Sequence, residues 1–176
     1  MDKHSLKKLA VFLGSSICVL QIAVIPVMAN VSEENNYLWK SLAPEGETSV
    51  EDTATPRARG DILNKGYVRL SNVDGKAAIY GETLGNFVSL DEVGLELYLE
   101  KYDGTTFNSY KDWSYVDYNT SDIAATFLET VEKGYYYCLR GYHYVIDDDL
   151  YEAVSTTTNG LPIKYQLVNL SLIAVI

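Results

Sequence analysis

One stretch of the sequence, KGYYYCLRGYHYVIDDDLYE at 133–152, holds the residue types of a thiol-nucleophile site. It contains Cys138, His143 and the three consecutive aspartates 147–149. A catalytic thiol and its base must lie within hydrogen-bond reach. On a regular β-strand, their odd separation would put Cys138 and His143 on opposite faces and about 16 Å apart along the axis. We therefore predict no catalytic residue here and interpret Cys138 as a small buried hydrophobe.

Other common catalytic and metal-binding patterns are also missing from the sequence. It has no G-x-S-x-G, no glycine-rich phosphate loop and no H-E-x-x-H. His143 lacks the Cys or His neighbours of a usual zinc site, and the aspartate run lacks the ligand spacing of a calcium loop. Glu96 and Glu100 would share a strand face at about 13 Å, too far apart for a glycosidase pair. We predict no enzyme, no cofactor and no metal site.

The N-terminal segment, residues 1–29, predicts a cleaved signal peptide. It begins with the basic MDKHSLKK, continues with an apolar stretch and ends with VMA, a small-residue cleavage signal at Ala29. An uncleaved membrane anchor is the alternative. Ser15, Ser16 and Gln21 interrupt the apolar span and favour cleavage. We predict a protein that is secreted, extracellular or associated with the cell wall, with no stable membrane span after cleavage.

The charge and the cysteine content of the chain limit the classes of partner that it can bind. Beyond residue 29 the chain keeps 11 of its 14 basic and 23 of its 24 acidic residues. So acidic a chain repels phosphate backbones and anionic lipid surfaces, which excludes nucleic acid and electrostatic membrane docking. Cys138 is the one cysteine left after the leader, so no intramolecular disulfide can form. It is either buried or available to join two chains.

Between the leader and the C-terminus, three regions differ in composition. Residues 30–60 are acidic, contain Pro44 and Pro56, and show no apolar periodicity, which predicts a flexible linker or pro-region. Residues 61–163 are predicted to form the folded domain. The apolar tail, 164–176, is too short to span a membrane. It is predicted to complete a sheet as a terminal strand, with an exposed sticky end as the alternative.

The domain region consists of short alternating segments separated by turn signals. The clearest is VGLELYLEKY at 93–102, where leucines at every second position alternate with Glu96, Tyr98 and Glu100. Seven such segments follow one another, and none has the length and period of a helix. We predict an all-β fold, an antiparallel β-sandwich of about seven strands with an immunoglobulin-like layout. A small β-barrel is the alternative.

The tyrosine run resembles the sixth strand of immunoglobulin-type domains. An acid, then Gly134, Tyr136 and Cys138, occupy every second position of EKGYYYCLRG. The resemblance implies that Gly134 relieves a tight turn, that the Tyr136 hydroxyl bonds back to that turn, and that Cys138 faces the core. A partner cysteine is missing from GKAAIYGETLG, so the likeness concerns layout rather than ancestry.

A second resemblance covers roughly residues 58–163. RGDILNKGYVRLSN, GKAAIYGETLG, LYLEKYDGTTFNSYKDWS, KGYYYCLRGYH and TTTNG, in this order behind a leader, are similar to a family of small secreted proteins from Gram-positive bacteria. That family is catalogued as a domain of unknown function. The resemblance implies an exported all-β domain and supplies no catalytic residues.

Tyrosine is the distinctive residue type of the domain: 14 of the 15 tyrosines follow residue 60. If the leucines of 93–102 face the core, Glu96, Tyr98 and Tyr102 face outward. If Tyr136 and Cys138 face inward, then Tyr135, Tyr137 and His143 face outward. In an immunoglobulin-like layout the two strands are neighbours, so both outward rows merge into one aromatic and acidic surface. The predicted ligand-binding residues are Glu96, Tyr98, Tyr102, Tyr135, Tyr137 and His143.

Tyrosines flanked by carboxylates suit contact with a sugar or a peptide. Cross-strand tyrosine pairing that stabilises an exposed sheet is the simpler alternative. We predict a secreted, non-enzymatic extracellular module that binds a glycan or a protein through the tyrosine-rich sheet face. A structural or self-associating protein, joined through the apolar tail or Cys138, is the alternative, and a small hydrolase is less favoured.

Overall fold

A computed structural model describes residues 41–56 and 61–165. These residues form strands and no helix, so the predicted all-β class is confirmed. All of them belong to one compact unit, Tyr37–Ile176. The strands are β1 (Ser49–Ala54), β2 (Leu63–Val73), β3 (Lys76–Gly85), β4 (Leu90–Tyr102), β5 (Phe107–Thr120), β6 (Asp122–Glu129), β7 (Tyr135–Asp147), β8 (Leu150–Thr157) and β9 (Leu161–Ile163).

The strands form two antiparallel sheets. One has the order β1-β2-β3-β6, and the other has the order β5-β4-β7-β8, with β9 also paired to β7. Neither sheet closes on itself, so the β-sandwich is confirmed and the barrel alternative is wrong. The described strands number nine rather than about seven, because β1 and the short β9 were not predicted separately. The strand order also differs from that of constant-type immunoglobulin domains, in which the sheets have the orders 1-2-5-4 and 3-6-7.

Strand β1 lies inside the segment predicted as a flexible linker. Its residues pair with β2, from Ser49 opposite Ser71 to Ala54 opposite Gly66. The linker prediction is therefore wrong for this segment. The sequence SVEDTA gives little signal because Val50 is its one large apolar residue, and main-chain pairing rather than apolar alternation makes the strand. The predicted signal peptide and the tail beyond Tyr165 lie outside the described residues.

The core lies between the two sheets and follows the predicted alternation of β4. Leu95, Leu97 and Leu99 are fully buried. Buried aliphatic residues from the facing sheet belong to the same cluster, among them Leu70 and Ile79. Each such side chain contributes about 2 kcal/mol when it leaves water. The outward residues of β4, including Glu96 and Tyr98, are thereby fixed on the opposite side of the sheet.

The entry to β7 contains a tyrosine corner, but one residue later than predicted. Gly134 turns the chain with φ 88°, as the resemblance implied. Tyr137, not Tyr136, is fully buried and donates its hydroxyl to the carbonyl oxygen of Glu132 at 2.9 Å. Its ring packs edge-on against Tyr110, and burial raises the pKa of Tyr137 well above its ordinary value. The corner assignment to Tyr136 is wrong because a slip of one residue exchanges the two faces of a strand.

The corner can be tested with neighbouring tyrosines. We expect Tyr137→Phe to lower the free energy of unfolding by about 1 kcal/mol, because a partly buried hydrogen bond is lost. The matched control, Tyr136→Phe, should change it by less than about 0.5 kcal/mol. Urea unfolding of both variants measures the difference. An equal or larger loss in Tyr136→Phe would contradict the assignment.

Candidate functional site

The outer face of the five-stranded sheet brings together the outward residues of β4, β5, β7 and β8. Strand β4 pairs with β5 on one side and with β7 on the other, and β7 pairs with β8. Residues directly opposite each other share one face of a sheet. We call this surface the tyrosine face, and its members used below are Glu92, Glu96, Tyr98, Glu100, Asp112, Tyr118, Arg140, Tyr142, Tyr144 and Tyr151.

Of the six predicted ligand-binding residues, the three from β4 lie in the outward row of that strand. Glu96 and Tyr98 occupy the β4 row of the tyrosine face, as expected. Tyr102, at the end of β4, is half-buried, donates its hydroxyl to the carbonyl of Gly104 at 2.9 Å and packs against Phe107. Tyr135 begins β7 and is exposed, with the ammonium of Lys101 3.6 Å from its ring centroid.

The outward placement of Tyr137 and His143 is wrong. Both are fully buried between the sheets, with Leu139 and Val145 in the same row of β7. The row that faces outward instead carries Arg140, Tyr142 and Tyr144, which were not predicted as site residues. A signal for this was present: Leu139 and Val145 fall on odd positions and Arg140 on an even one. Burial of these Leu and Val side chains decides which row faces the core, because tyrosine is accepted on either face of a strand.

Three of these tyrosines form a cluster, which we call the tyrosine cluster: Tyr142, Tyr144 and Tyr151. The hydroxyls of Tyr142 and Tyr151 are 2.7 Å apart and hydrogen-bonded, with either able to donate. The Tyr144 and Tyr151 rings stack with centroids 5.9 Å apart and planes 24° from parallel. Burial and the bond to Tyr142 raise the pKa of Tyr151. The rings therefore hold one another and present a pre-organised aromatic surface.

Tyr144 is fixed by two residues of β4. It lies opposite Gly94, where even a Cβ atom would come within 2.0 Å of its ring carbons. Its hydroxyl donates to a carboxylate oxygen of Glu92 at 2.8 Å. Burial, and then that hydrogen bond, raise the pKa of Tyr144 to about 12. The missing side chain at Gly94 thus lets the ring lie flat on the sheet with a carboxylate at its tip.

A second polar group surrounds Tyr98. Its hydroxyl donates to Glu96, and this bond is the main reason that its pKa rises to about 12. The guanidinium of Arg140 lies 4.2 Å from the Tyr98 ring centroid and donates from Nε to Glu100 at 3.2 Å. Arg140 is the one basic residue of the tyrosine face, against the four carboxylates Glu92, Glu96, Glu100 and Asp112.

Cys138 is buried, as predicted, but does not face the core between the sheets. It is 1% exposed and shares the outward row of β7 with Arg140. Its Sγ lies 3.5 Å from a carboxylate oxygen of Glu100. The inward placement of Cys138 is wrong for the same one-residue reason as the corner. Cys138 and His143 lie on opposite faces of β7, as the sequence separation predicted.

His143 joins the two sheets inside the core. Its Nδ1 lies 3.0 Å from the Thr83 hydroxyl and its Nε2 lies 2.8 Å from the Thr156 hydroxyl. Thr83 donates its own proton to the carbonyl of Gly94, so Nδ1 carries the imidazole proton and Nε2 accepts from Thr156. Burial lowers the pKa of His143 to about 4. The imidazole is therefore neutral at pH 7 and holds β3 and β8 to β7.

Two negative findings concern the part of the chain that the structure describes. No three His, Cys, Asp or Glu side chains in residues 41–56 and 61–165 come together as a set that could hold a metal ion. Within the same ranges no helix has the length and apolar character needed to cross a membrane.

The buried histidine gives stability a defined pH dependence. The pKa of His143 is lower in the folded chain than its unfolded value near 6.5, so the unfolded chain binds more protons between the two. Stability is complete above about pH 6.5 and falls by up to about 3 kcal/mol as the pH drops towards 4.

Urea unfolding at pH 7.5, 6, 5 and 4.5 measures this slope. We expect His143→Gln to be less stable at pH 7.5 and to lose the part of the slope that belongs to the imidazole. Identical slopes for the two proteins would contradict the buried, neutral histidine.

Comparison with known proteins identifies the domain but not its activity. No curated protein and no solved structure matches the chain. A model described as a family of unknown function (DUF6147) matches residues 33–161, which include β1 and every strand that contributes to the tyrosine face. The uncharacterised family suggested by the sequence motifs is thereby confirmed: the chain belongs to this family of unknown function, DUF6147.

Proposed function

We propose that this chain is an exported, non-enzymatic module that binds an extracellular glycan or protein through the tyrosine face. The observation that carries the proposal is the tyrosine cluster, which lies next to the tyrosine-bonded carboxylates Glu92 and Glu96. Fixed, amphipathic rings with polar atoms at their edges give a large contact area at low entropic cost.

The degree of exposure favours binding over simple stabilisation of the sheet. Tyr151 is 55% exposed and Tyr118 is 61% exposed, although both lie on the outer face of a well-paired sheet. On the other sheet, Tyr67 and Tyr80 pack edge-to-face, each with a basic side chain over its ring. That second pair represents ordinary cross-strand stabilisation. Among the described residues, no basic side chain covers a ring of the tyrosine cluster in the same way.

Two further observations support the non-enzymatic part of the proposal. Cys138 and His143 point to opposite sides of β7, so His143 is not placed to act as a base for this thiol. Glu92 and Glu96 both hold tyrosine hydroxyls, and a separation of four residues along one strand puts their Cα atoms about 13 Å apart. That distance exceeds the spacing of paired catalytic carboxylates.

Export is supported by the basic and apolar leader at 1–29. It is also compatible with a domain whose single cysteine is buried and therefore protected from oxidation. The same burial argues against a disulfide between two chains through Cys138. Self-association through the apolar tail is the alternative, and it concerns residues outside the described part of the chain.

The proposal is tested by removing rings from one sheet at a time. We expect Tyr98→Ala with Tyr151→Ala to reduce retention on purified peptidoglycan, or on immobilised extracellular-matrix proteins, by at least fivefold. The matched control is Tyr67→Ala with Tyr80→Ala, which removes two rings from the opposite sheet and should leave retention within twofold of the unmodified protein.

Circular dichroism confirms that both variants are folded. Equal retention of the two variants on every surface would overturn the assignment of the tyrosine face. Sedimentation velocity measures the alternative directly, since a concentration-dependent dimer that survives the loss of both face rings would favour self-association.

A further inference from the structure

The carboxylates beside the tyrosine cluster lack basic partners. Within residues 41–56 and 61–165, no lysine or arginine forms an ion pair with Glu92 or Glu96. Each accepts one tyrosine hydroxyl. Because an ionised carboxylate offers about four acceptor positions, both keep room for a further donor. An ammonium or guanidinium group is the donor that gains most there, since its bond to a carboxylate is charge-assisted.

The described part of the chain already shows how its tyrosines receive cations. Six tyrosine rings have a lysine or arginine positioned over them, at 3.5 to 5.9 Å from the ring centroid: Tyr67, Tyr80, Tyr98, Tyr110, Tyr135 and Tyr165. Among the described residues, none supplies a cation to Tyr142, Tyr144 or Tyr151. The three rings that form a cluster next to unpaired carboxylates are therefore open to a cation from another molecule.

Charge complementarity selects the class of partner. The chain carries 24 acidic against 14 basic residues, and the tyrosine face repeats that imbalance with four carboxylates and Arg140. An acidic surface attracts basic partners and repels anionic polymers over several ångströms. A neutral glycan offers Glu92 and Glu96 hydroxyl donors without charge. A basic peptide offers them charge-assisted hydrogen bonds, which are stronger.

We infer that the tyrosine face binds a cationic peptide segment, whose lysine or arginine side chains lie over the tyrosine cluster and reach Glu92 and Glu96. This inference rests on the proposed function and names its partner. The two carboxylates lie four residues apart on β4, about 13 Å. An extended peptide presents every second side chain on one side, about 7 Å apart. Basic residues four positions apart, such as the first and third of an alternating series, therefore match the carboxylate spacing.

A fluorescent octapeptide of alternating lysine and serine tests this partner. The protein is purified from the expressing cells with no further processing. We expect binding, measured by fluorescence anisotropy, to weaken at least tenfold in Glu92→Gln with Glu96→Gln. It should weaken less than twofold in the matched control, Glu51→Gln with Glu82→Gln, which removes the same charge from the other sheet. The same peptide with acetylated lysines should bind at least tenfold more weakly than the charged form.

Three outcomes overturn the inference. In the first, the charged peptide fails to bind. In the second, both double variants lose affinity equally, which would assign binding to the general acidity of the chain. In the third, the neutral oligosaccharide chitohexaose binds, and its binding depends on Tyr98 and Tyr151 but not on Glu92 and Glu96. That third outcome leaves the proposed function standing. If no probe responds to loss of Tyr98 and Tyr151, the proposed function fails as well.

Discussion

The alternation of side chains along β7 is the constraint on which the rest of this structure depends. Leu139, His143 and Val145 point between the sheets, and the imidazole is held from two other strands by Thr83 and Thr156. A neutral imidazole with both nitrogens hydrogen-bonded inside a core cannot move to the surface without breaking its hydrogen bonds to Thr83 and Thr156. The register of β7 is thereby fixed, and Arg140, Tyr142 and Tyr144 must face outward.

The tyrosine face follows directly from that register. Tyr144 can lie flat on β4 because Gly94 is opposite it, and its hydroxyl then meets Glu92. Tyr151 stacks on Tyr144 from the neighbouring strand. The aromatic and acidic character of this surface is therefore a property of three adjacent strands. The neutral core histidine and the charged outer face are two sides of the same strand.

Much of this architecture could be predicted from the sequence. The leucine alternation of β4 is unambiguous because aliphatic and charged residues take opposite positions, and the prediction that β4 and β7 are neighbours is confirmed. The parity of β7 was predicted wrongly, since tyrosine has an apolar ring and a polar tip and is accepted on either face. The likeness to an immunoglobulin strand then favoured Tyr136, whereas Leu139 and Arg140 pointed to the opposite parity.

The ionisation of His143 tests this register most directly. Proton NMR of the imidazole between pH 7.5 and 5 reports it, and His143→Gln distinguishes its signal from that of His4, the second histidine of the sequence. Because burial lowers the pKa of His143 to about 4, we expect its ring protons to shift very little over this range. A midpoint near 6.5 would place the imidazole in water, reverse the parity of β7 and remove Tyr142 and Tyr144 from the tyrosine face.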